Sequence, residues 1–307
     1  MQHLMPLLAT AALVLSTAAA YADLGDQLFK LLPDDGAGND QFGHSVAISG
    51  TTAIVGALWD NDNKTGLDSG SAYLFNITTG QQLFKLLPDD GAADDRFGRS
   101  VAINGTIAIV GVIHDDDNGS NSGSSYLFDS ATGEQIVKIL PDDGAAGDRF
   151  GISVAISGTT AIVGASFDDD NGDLSGSAYI FGISDPVNPT QIARLLPDDG
   201  AEVDAFGGSV AISGTTVIGG ARGDDDACPE NPFCYTGSAY LFDAASAPAC
   251  PADFDGDGAV GPFDLALLLG NWGPCADPDN CPADLDGNGE VGPFDLALVL
   301  GNWGPCP

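Results

Sequence analysis

The clearest pattern in the chain is a short alternation of apolar and polar residues that recurs four times. The string Leu-Pro-Asp-Asp-Gly begins at residues 32, 87, 140 and 196, and Phe-Gly follows at residues 42, 97, 150 and 206. Each copy continues through Ser-Val-Ala-Ile, a Gly-containing turn, an Ile-Val-Gly-like run, an acidic loop and a Ser-Ala-Tyr-Leu-Phe-like run. Apolar residues at every second position over such short runs indicate β-strands. The pattern therefore predicts four short strands per copy, joined by tight turns.

Four strands per repeat, at spacings of 55, 53 and 56 residues, are typical of a β-propeller blade. We predict a mostly β protein with a four-bladed propeller over residues 23–243. Its repeats span about 27–79, 80–132, 133–190 and 191–243. A strand of the type that ends each blade precedes the first blade, at residues 27–33, and none follows the last. We therefore expect residues 27–33 to complete the last blade and close the ring. The alternative is an open partial ring completed by a partner chain.

The ends of the chain differ from the repeats. Residues 4–20 are apolar and Ala20-Tyr21-Ala22 resembles a cleavage site, so residues 1–22 are predicted to be a signal peptide and the protein to be secreted, either extracellular or attached to the cell surface. A membrane anchor is the alternative, but the run is short and no second one follows, so no membrane span is predicted. Residues 244–249 read as a linker, and residues 250–307 carry a different, duplicated pattern.

Charge narrows the choice of ligand. The formal net charge is −35, with 44 acidic residues against nine Lys and Arg. Nucleic-acid binding needs cations that neutralise phosphates, so it is not expected. Twenty-six of the forty Asp fall in two loops per repeat that emerge at the same end of a blade. These loops could bind Ca²⁺, and the candidate ligands are Asp60, Asp62, Asp68, Asp115, Asp117, Asp168, Asp170, Asp224 and Asp226. The alternative is that these Asp bond the backbone of their own turns.

The outermost strand of a blade carries one basic residue at an equivalent position in every copy, at Lys30, Lys85, Lys138 and Arg194. We interpret these residues as outward charges that blunt an exposed edge strand. The other interpretation is a ring of contacts for an anionic ligand.

Two near-identical 12-residue segments, 31 residues apart, mark the C-terminal region. Oxygen-bearing residues at positions 1, 3, 5 and 12, with Gly at position 6, form an EF-hand-like calcium loop. The predicted ligands of two Ca²⁺ ions are Asp253, Asp255, Asp257, Ala259 and Asp264 in the first loop, and Asp284, Asp286, Asn288, Glu290 and Asp295 in the second. A helix is expected to begin at the proline of each loop. In each helix, apolar residues at i, i+3, i+4 and i+7 predict the packed face: Leu265, Leu268, Leu269 and Trp272, and then Leu296, Val299, Leu300 and Trp303.

Both regions resemble known families. The repeats resemble FG-GAP repeats, the blades of integrin α propellers: Phe-Gly recurs four times, and Gly-Ala follows at residues 56, 164 and 220. The C-terminal region resembles a type I dockerin, which docks onto cohesin domains. That resemblance implies a cohesin-like or cell-envelope partner and a docking role for loop positions 10 and 11, which here are Pro262, Phe263, Pro293 and Phe294.

The six cysteines suit an oxidising destination. Cys228 and Cys234, six residues apart, are predicted to form a local disulfide. The ends of a dockerin fold lie close together, so the resemblance favours Cys250–Cys306 with Cys275–Cys281 over Cys250–Cys275 with Cys281–Cys306.

The sequence contains no catalytic motif, and after signal-peptide removal its only histidines are His44 and His114. We therefore predict that the protein is not an enzyme. The preferred function is a secreted calcium-binding protein for adhesion, or for interaction with a protein or glycan at the propeller, anchored through its C-terminal region. The alternatives are an accessory component of a cellulosome-like, polysaccharide-degrading complex and a structural envelope protein.

Overall fold

The computed structural model describes residues 25–61, 66–228, 235–244, 252–254, 259–275, 281–285 and 288–305. The predicted signal peptide and most of the linker lie outside these residues. So do several predicted site residues, namely Asp62, Cys234, Cys250, Asp255, Asp257, Asp286 and Cys306.

In the repeats, fifteen strands of the described residues form four antiparallel sheets, one for each repeat. The first sheet contains β1 (Ser45–Ser49), β2 (Thr52–Ala57), β3 (Ser71–Asn76) and β4 (Gln81–Leu86). The second contains β5 (Phe97–Asn104), β6 (Ile107–Val112), β7 (Ser124–Asp129) and β8 (Gln135–Ile139). The third contains β9 (Ser153–Ser157), β10 (Thr160–Ala165), β11 (Ser177–Gly182) and β12 (Thr190–Leu195). The fourth contains β13 (Phe206–Ser213), β14 (Thr216–Ala221) and β15 (Ser238–Asp243). The repeat pattern therefore predicted a mostly β fold with sequential antiparallel strands in each repeat, and the strand expected at residues 27–33 is the exception.

Consecutive sheets pack face to face through apolar side chains. Val101 and Ile103 of the second sheet belong to one core with Ile54 and Leu74 of the first. The phenylalanine of each Phe-Gly pair lies against aromatic rings of the third strand in its own sheet, as Phe150 does against Tyr179, with ring centroids 5.5 Å apart. Burial of these alternating residues is the main stabilising contribution to each sheet interface.

The ring is not closed in the way that the sequence predicted. The fourth sheet has three strands, and residues 26–33 form no strand in the structure. Instead, Leu31 packs against the first sheet with Val55 and Tyr73. Val46 of the first sheet and Leu241 of the fourth are 68% and 71% exposed, so these two sheets do not cover each other among the described residues.

The C-terminal residues form a separate small unit with internal two-fold symmetry. It contains α1 (Pro262–Gly270) and α2 (Pro293–Gly301), each beginning at a proline as expected. The short strands β16 (Ala259–Val260), β17 (Gly273–Pro274), β18 (Glu290–Val291) and β19 (Gly304–Pro305) pair as β16 with β19 and β17 with β18. Each pair therefore joins the segment before one helix to the segment after the other. No helix in the described part of the chain is long and apolar enough to cross a bilayer.

Candidate functional site

The acidic rim of the propeller contains a repeated cluster of an aspartate, a tyrosine and a cation. In the second sheet the Tyr126 hydroxyl shares its hydrogen between Asp90, at 2.8 Å, and Asp115, at 3.1 Å. The Lys138 ammonium lies 2.7 Å from Asp115, 2.9 Å from Asp90 and 2.6 Å from Asp117. Asp115 itself is only 5% exposed. The two acidic loops of a repeat thus meet at one end of the blade, and a lysine compensates their charge.

The same cluster recurs around the propeller. In the first sheet it consists of Tyr73, Asp35, Asp60 and Lys85, and in the third of Tyr179, Asp143, Asp168, Asp170 and Arg194. Lys85, Lys138 and Arg194 are therefore not outward charges that blunt an edge, as the sequence suggested, whereas Lys30 is exposed. They turn inward because the acidic loops fold over the end of the outermost strand.

The fourth sheet has the anionic half of this cluster. Asp224 accepts hydrogen bonds from the hydroxyls of Tyr240, at 2.8 Å, and Ser238. Burial alone would raise the pKa of Asp224, but the hydrogen bonds from Ser238, the Asp226 backbone and Tyr240 outweigh it and lower that pKa. Among the described residues, Asp224 has no ion pair with Lys or Arg.

Titration behaviour follows from these contacts. The Asp90 carboxyl has its pKa raised by burial, but hydrogen bonds from Lys138 and Tyr126 outweigh this and lower it overall. The Lys138 pKa is raised: burial lowers it, but the hydrogen bonds to Asp115, Asp117 and Asp90 more than compensate. In contrast, Asp95 and Asp148 have no nearby cation strong enough to offset burial, which raises the pKa of each to about 6. The rim therefore contains both compensated and uncompensated carboxyl groups.

The calcium candidates in the propeller divide into two groups. Asp60, Asp115, Asp168 and Asp224 are buried and each lies within hydrogen-bonding distance of a tyrosine hydroxyl. The others lie further out: Asp117 and Asp170 contact the strand cation, the Asp226 backbone donates to Asp224, and the Asp68 backbone donates to Asn61. These contacts give the acidic residues a structural role within the chain. Calcium binding at the rim stays a prediction.

Comparison with known families addresses the repeats directly. A model of the FG-GAP repeat matches residues 26–75, 81–128, 134–181 and 189–242. The chain belongs to the FG-GAP repeat family. The resemblance inferred from Phe-Gly and Gly-Ala is thereby confirmed for all four repeats. None of the FG-GAP matches extends into residues 250–307, so the dockerin resemblance stays a prediction.

The chain is also similar to a solved structure, that of the computationally designed Ika4 protein. The two share 17% sequence identity, and the similarity covers 71% of this chain and 98% of that chain, with a TM-score of 0.42. No curated protein matches the chain in sequence.

Beyond the FG-GAP repeats, the C-terminal unit brings both ends of each predicted calcium loop together. The Asp264 carboxylate accepts the Phe254 backbone N–H at 2.6 Å and the Gly261 N–H at 2.7 Å. In the second loop Asp295 accepts from Leu285 and Gly292, both at 2.7 Å. Both carboxylates are buried. A buried acidic residue at position 12 that ties position 2 to position 9 fits a 12-residue calcium loop.

The remaining described residues of these loops are Asp253, Ala259, Asp284, Asn288 and Glu290. Asp284 accepts backbone N–H groups from Asn288, at 3.1 Å, and Gly289, at 2.8 Å, so its side chain points into its own loop. The Asn288 side chain accepts the Glu290 N–H at 2.9 Å. Among the described residues, the cluster of three metal-ligand side chains is Cys275, Cys281 and Asp284. Its two cysteines are joined in a disulfide, so this cluster is not a thiolate metal site.

The disulfide Cys275–Cys281 belongs to the favoured pairing, with a Cα–Cα distance of 5.9 Å. Cys228 is also disulfide-bonded. The other cysteines of the two predictions lie outside the described residues.

Each C-terminal helix presents an exposed apolar surface. Phe263 and Phe294 are 73% and 72% exposed, and the prolines before them are exposed as well. Leu267 and Leu298, one helical turn further along, are also exposed. The sequence pattern placed Leu269, Trp272, Leu300 and Trp303 in the core, which is wrong: these four side chains are exposed, while Leu268 and Val299 are buried. Trp272 and Trp303 each lie two residues beyond the end of a helix, so the helical spacing no longer applies to them.

Proposed function

We propose that this chain is a secreted, non-catalytic calcium-binding protein that attaches to a partner through residues 250–307. The propeller would present its loops for adhesion, or for interaction with a protein or glycan. The observation that carries the proposal is the matched pair of buried carboxylates, Asp264 and Asp295, each held by backbone N–H groups from both ends of its loop.

Calcium would act here as a structural ion. A unit this small has a core of few residues, formed around Val260, Leu268, Val291 and Val299. Units of this size need disulfides or metals to be stable. The Cys275–Cys281 disulfide supplies one such constraint. Calcium bound by the two loops would supply the second, because ion binding to the folded state stabilises it by mass action.

The docking surface in this proposal consists of Phe263 with Leu267, and Phe294 with Leu298. The two surfaces are equivalent in sequence and exposure, and the internal symmetry relates them. A partner could therefore bind in either of two orientations. Exposed aromatic side chains of this kind are typical anchors of protein interfaces.

Calcium titration of the full chain tests the proposal. We expect calorimetry to show two sites, and calcium to raise the melting temperature of the C-terminal transition while leaving the propeller transition unchanged. The double variant Asp264→Asn with Asp295→Asn should lose both the heat of binding and the stabilisation. Asp185→Asn, in the turn before β12, is the matched control and should behave as the wild type. Equal calcium uptake by the double variant would disprove the ligand assignment.

The partner class is tested with a purified cohesin domain as the probe, in calcium and in a chelator. Calcium-dependent binding that is lost when Phe263 and Phe294 are both replaced by Ser would support the alternative of a cellulosome-like accessory component. An absence of cohesin binding, together with intact calcium uptake, would favour attachment to a cell-envelope protein.

A further inference from the structure

Four of the five arginines of this acidic chain converge on one cavity. The cavity has a volume of about 270 Å³ and is lined by Arg96, Arg99, Arg149 and Arg222. These residues come from three repeats: Arg96 and Arg99 flank Phe-Gly of the second, Arg149 precedes Phe-Gly of the third, and Arg222 follows β14 of the fourth. Arg96 and Arg149 occupy the same repeat position, directly before Phe-Gly, but Arg99 and Arg222 occupy two others, so the packing of the sheets brings the four together.

The four guanidinium groups lack a compensating charge. Among the described residues, none of them forms an ion pair with a carboxylate, although the chain contains 44 acidic residues. The Arg96 Nε is buried without a hydrogen-bond partner. Burial and the nearby charges of Arg222 and Arg96 lower the pKa of Arg99. The Arg99 Nη1 lies 3.2 Å from His44 Nε2, a contact that leaves the positive charge of Arg99 without a carboxylate partner among the described residues.

Aromatic rings hold two of these side chains in place. The Arg149 Cζ lies 4.0 Å from the centre of the Phe167 ring, and the Arg96 Cζ lies 4.5 Å from that of Trp59. Stacking of this kind fixes the guanidinium plane and leaves its N–H edge available for hydrogen bonding. A planar fork of N–H donors matches the oxygens of a carboxylate, sulfate or phosphate group.

A second cavity, of about 350 Å³, adjoins the first and shares Ser166, Phe167 and Arg222 with it. Its other lining residues are mostly apolar and include Leu174, Val203, Ala205 and Tyr235. A concave, mostly apolar site with a few convergent polar groups is the usual form of a small-molecule site. The two cavities together suit a ligand with an anionic head and an apolar body.

We propose that this arginine-lined cavity binds an oxyanion, and that the adjoining apolar cavity selects a carboxylate attached to a small apolar body. The acidic rim repels polyanions, which limits the ligand to a small molecule. This site is independent of the C-terminal calcium unit.

Calorimetry on the full chain tests the site with sodium phenylacetate, acetate and sulfate, each at an ionic strength held constant with sodium chloride. We expect phenylacetate to bind at least about ten times more tightly than acetate, a difference of about 1.4 kcal/mol. The double variant Arg99→Gln with Arg222→Gln should weaken binding by a further factor of at least about ten. Arg194→Lys, which lies outside the cavity and keeps its charge, is the control.

A melting experiment without any added oxyanion provides a second measurement. Removing two of the four like charges that line this cavity should raise the melting temperature of the Arg99→Gln and Arg222→Gln double variant above that of the wild type. Sulfate binding that is tighter than phenylacetate binding would support the oxyanion site and disprove the apolar-body selection. Binding of all three anions no tighter than chloride, or equal affinity in the double variant, would overturn the proposal.

A separate observation concerns the two ends of the sheet array. Ile54 and Leu74 of the first sheet are completely buried by the second, but their equivalents in the fourth sheet, Ile218 and Leu241, are 41% and 71% exposed. On the first sheet, Val46 and Ile48 are exposed, while the equivalent Val101 and Ile103 are buried. The two exposed faces are the two halves of the interface that joins consecutive sheets.

Specific contacts of that interface are also incomplete at the ends. The Ser45, Ser100 and Ser153 hydroxyls each donate to a glycine carbonyl of the next repeat, at Gly98, Gly151 and Gly207. The equivalent serine of the fourth repeat is Ser209, and the equivalent glycine of the first repeat is Gly43. A Cβ built on Gly43 would meet nothing within 4 Å, whereas one on Gly98, Gly151 or Gly207 would clash with backbone of the preceding sheet.

Residues 26–33 have the sequence of the fourth strand, with its cation, that the fourth sheet lacks. Lys30 corresponds to Lys85, Lys138 and Arg194, and it forms no ion pair with any described residue. In the complete sheets, the strand cation lies directly opposite the tyrosine of the third strand, as Lys138 does opposite Tyr126. The corresponding tyrosine, Tyr240, is on the unpaired edge of β15. Lys30 therefore matches the open position beside Asp224 and Tyr240.

We infer that a second copy of this chain covers each end, with its residues 26–33 added as the fourth strand to β15. Such a contact is heterologous: the first sheet of one copy meets the fourth sheet of the other. Two copies joined in this way at both ends form a closed ring, and a rotation that does not close would give larger assemblies.

Sedimentation of the full chain over a micromolar concentration series tests this inference, with a dimer as the expected species. Leu241→Asp and Val46→Asp each change an exposed residue at one end, so each should fold and be monomeric. An equimolar mixture of the two variants should recover a dimer, because each retains the end that the other has lost. Lys30→Met should weaken the association, whereas Lys30→Arg, which keeps the charge as Arg194 does in the third sheet, is the control.

Complementation by the mixture would establish the head-to-tail contact, and larger species abolished by Leu241→Asp would support the same interface. A wild-type chain that stays monomeric over the whole series would overturn the inference. So would a dimer that both single variants leave intact.

Discussion

Replacing Lys138 by Met is expected to destabilise the propeller by about 3–5 kcal/mol, the usual cost of breaking a buried ion pair from one side. The substitution keeps most of the apolar stem but removes the charge that lies 2.7 Å from Asp115. Asp115 is buried, so its carboxylate would remain in a site of low dielectric with no cation beside it. Urea unfolding of the propeller, followed by tyrosine fluorescence at neutral pH, measures the change.

Two further variants separate charge from packing. Lys138→Arg should retain most of the stability, since Arg194 occupies the equivalent position in the third sheet and contacts Asp143 and Asp170 there. Adding Asp115→Asn to Lys138→Met should restore part of the lost free energy, because the uncompensated charge is removed while one oxygen still accepts from Tyr126. If Lys138→Met unfolds at the wild-type urea concentration, the cluster does not stabilise the propeller.

Replacing Gly123 by Ala is expected to have the second large effect, because the residue lies where two sheets meet. Gly123 has a φ of +81°, and a Cβ built on it would lie 2.1 Å from the Phe150 carbonyl oxygen and 2.6 Å from the Phe150 nitrogen. Gly123 pairs with Phe150 as an isolated parallel bridge between the second and third sheets. The clashing atoms belong to the backbone, so no side-chain rotation can relieve the contact. The expected loss is several kcal/mol, beyond the roughly 1–3 kcal/mol of a strained backbone alone.

Gly105→Ala is the matched control for this prediction. Gly105 also has a positive φ, of +58°, but a Cβ built on it would meet nothing within 4 Å. Its replacement should cost only the conformational strain, roughly 1 kcal/mol. Urea midpoints of both variants give the comparison. Equal losses at the two positions would mean that the approach of Phe150 to Gly123 does not limit the sheet interface.

The fold of the repeats was predictable because the same sequence pattern occurs independently in every repeat. Four copies of Phe-Gly, each followed by alternating apolar residues, fix the strands and their sequential pairing, and errors in one copy are corrected by the others. Closure of the ring was not predictable in this way. It depends on the angle between consecutive sheets, which is set by packing between side chains such as Val101, Ile103, Ile54 and Leu74 rather than by any local pattern.

The candidate sites also divide into those that a local sequence pattern predicts and those that depend on packing between distant segments. The sequence predicts the calcium loops of the C-terminal unit because all the proposed ligands of each loop lie within 12 consecutive residues, at spacings that the ion requires. The cluster of Asp115, Tyr126 and Lys138 unites three different segments of a repeat. Alternation along the strand indicated which residues share a face, but it gave no sign that two acidic loops fold over the Lys138 side chain.

By itself, the sequence determined the number of repeats, their strands, the charge of one rim and the two loops that end in Asp264 and Asp295. All of these are local, because they depend on residue spacings within a strand, a turn or a loop. Only the tertiary structure decided the rest: the inward direction of the strand cations, the convergence of Arg96, Arg99, Arg149 and Arg222, and the open ends of the array. Each of these depends on contacts between segments that lie in different strands and loops, such as Lys138 with Asp117 or Arg99 with Arg222, and no short-range pattern along the chain specifies them.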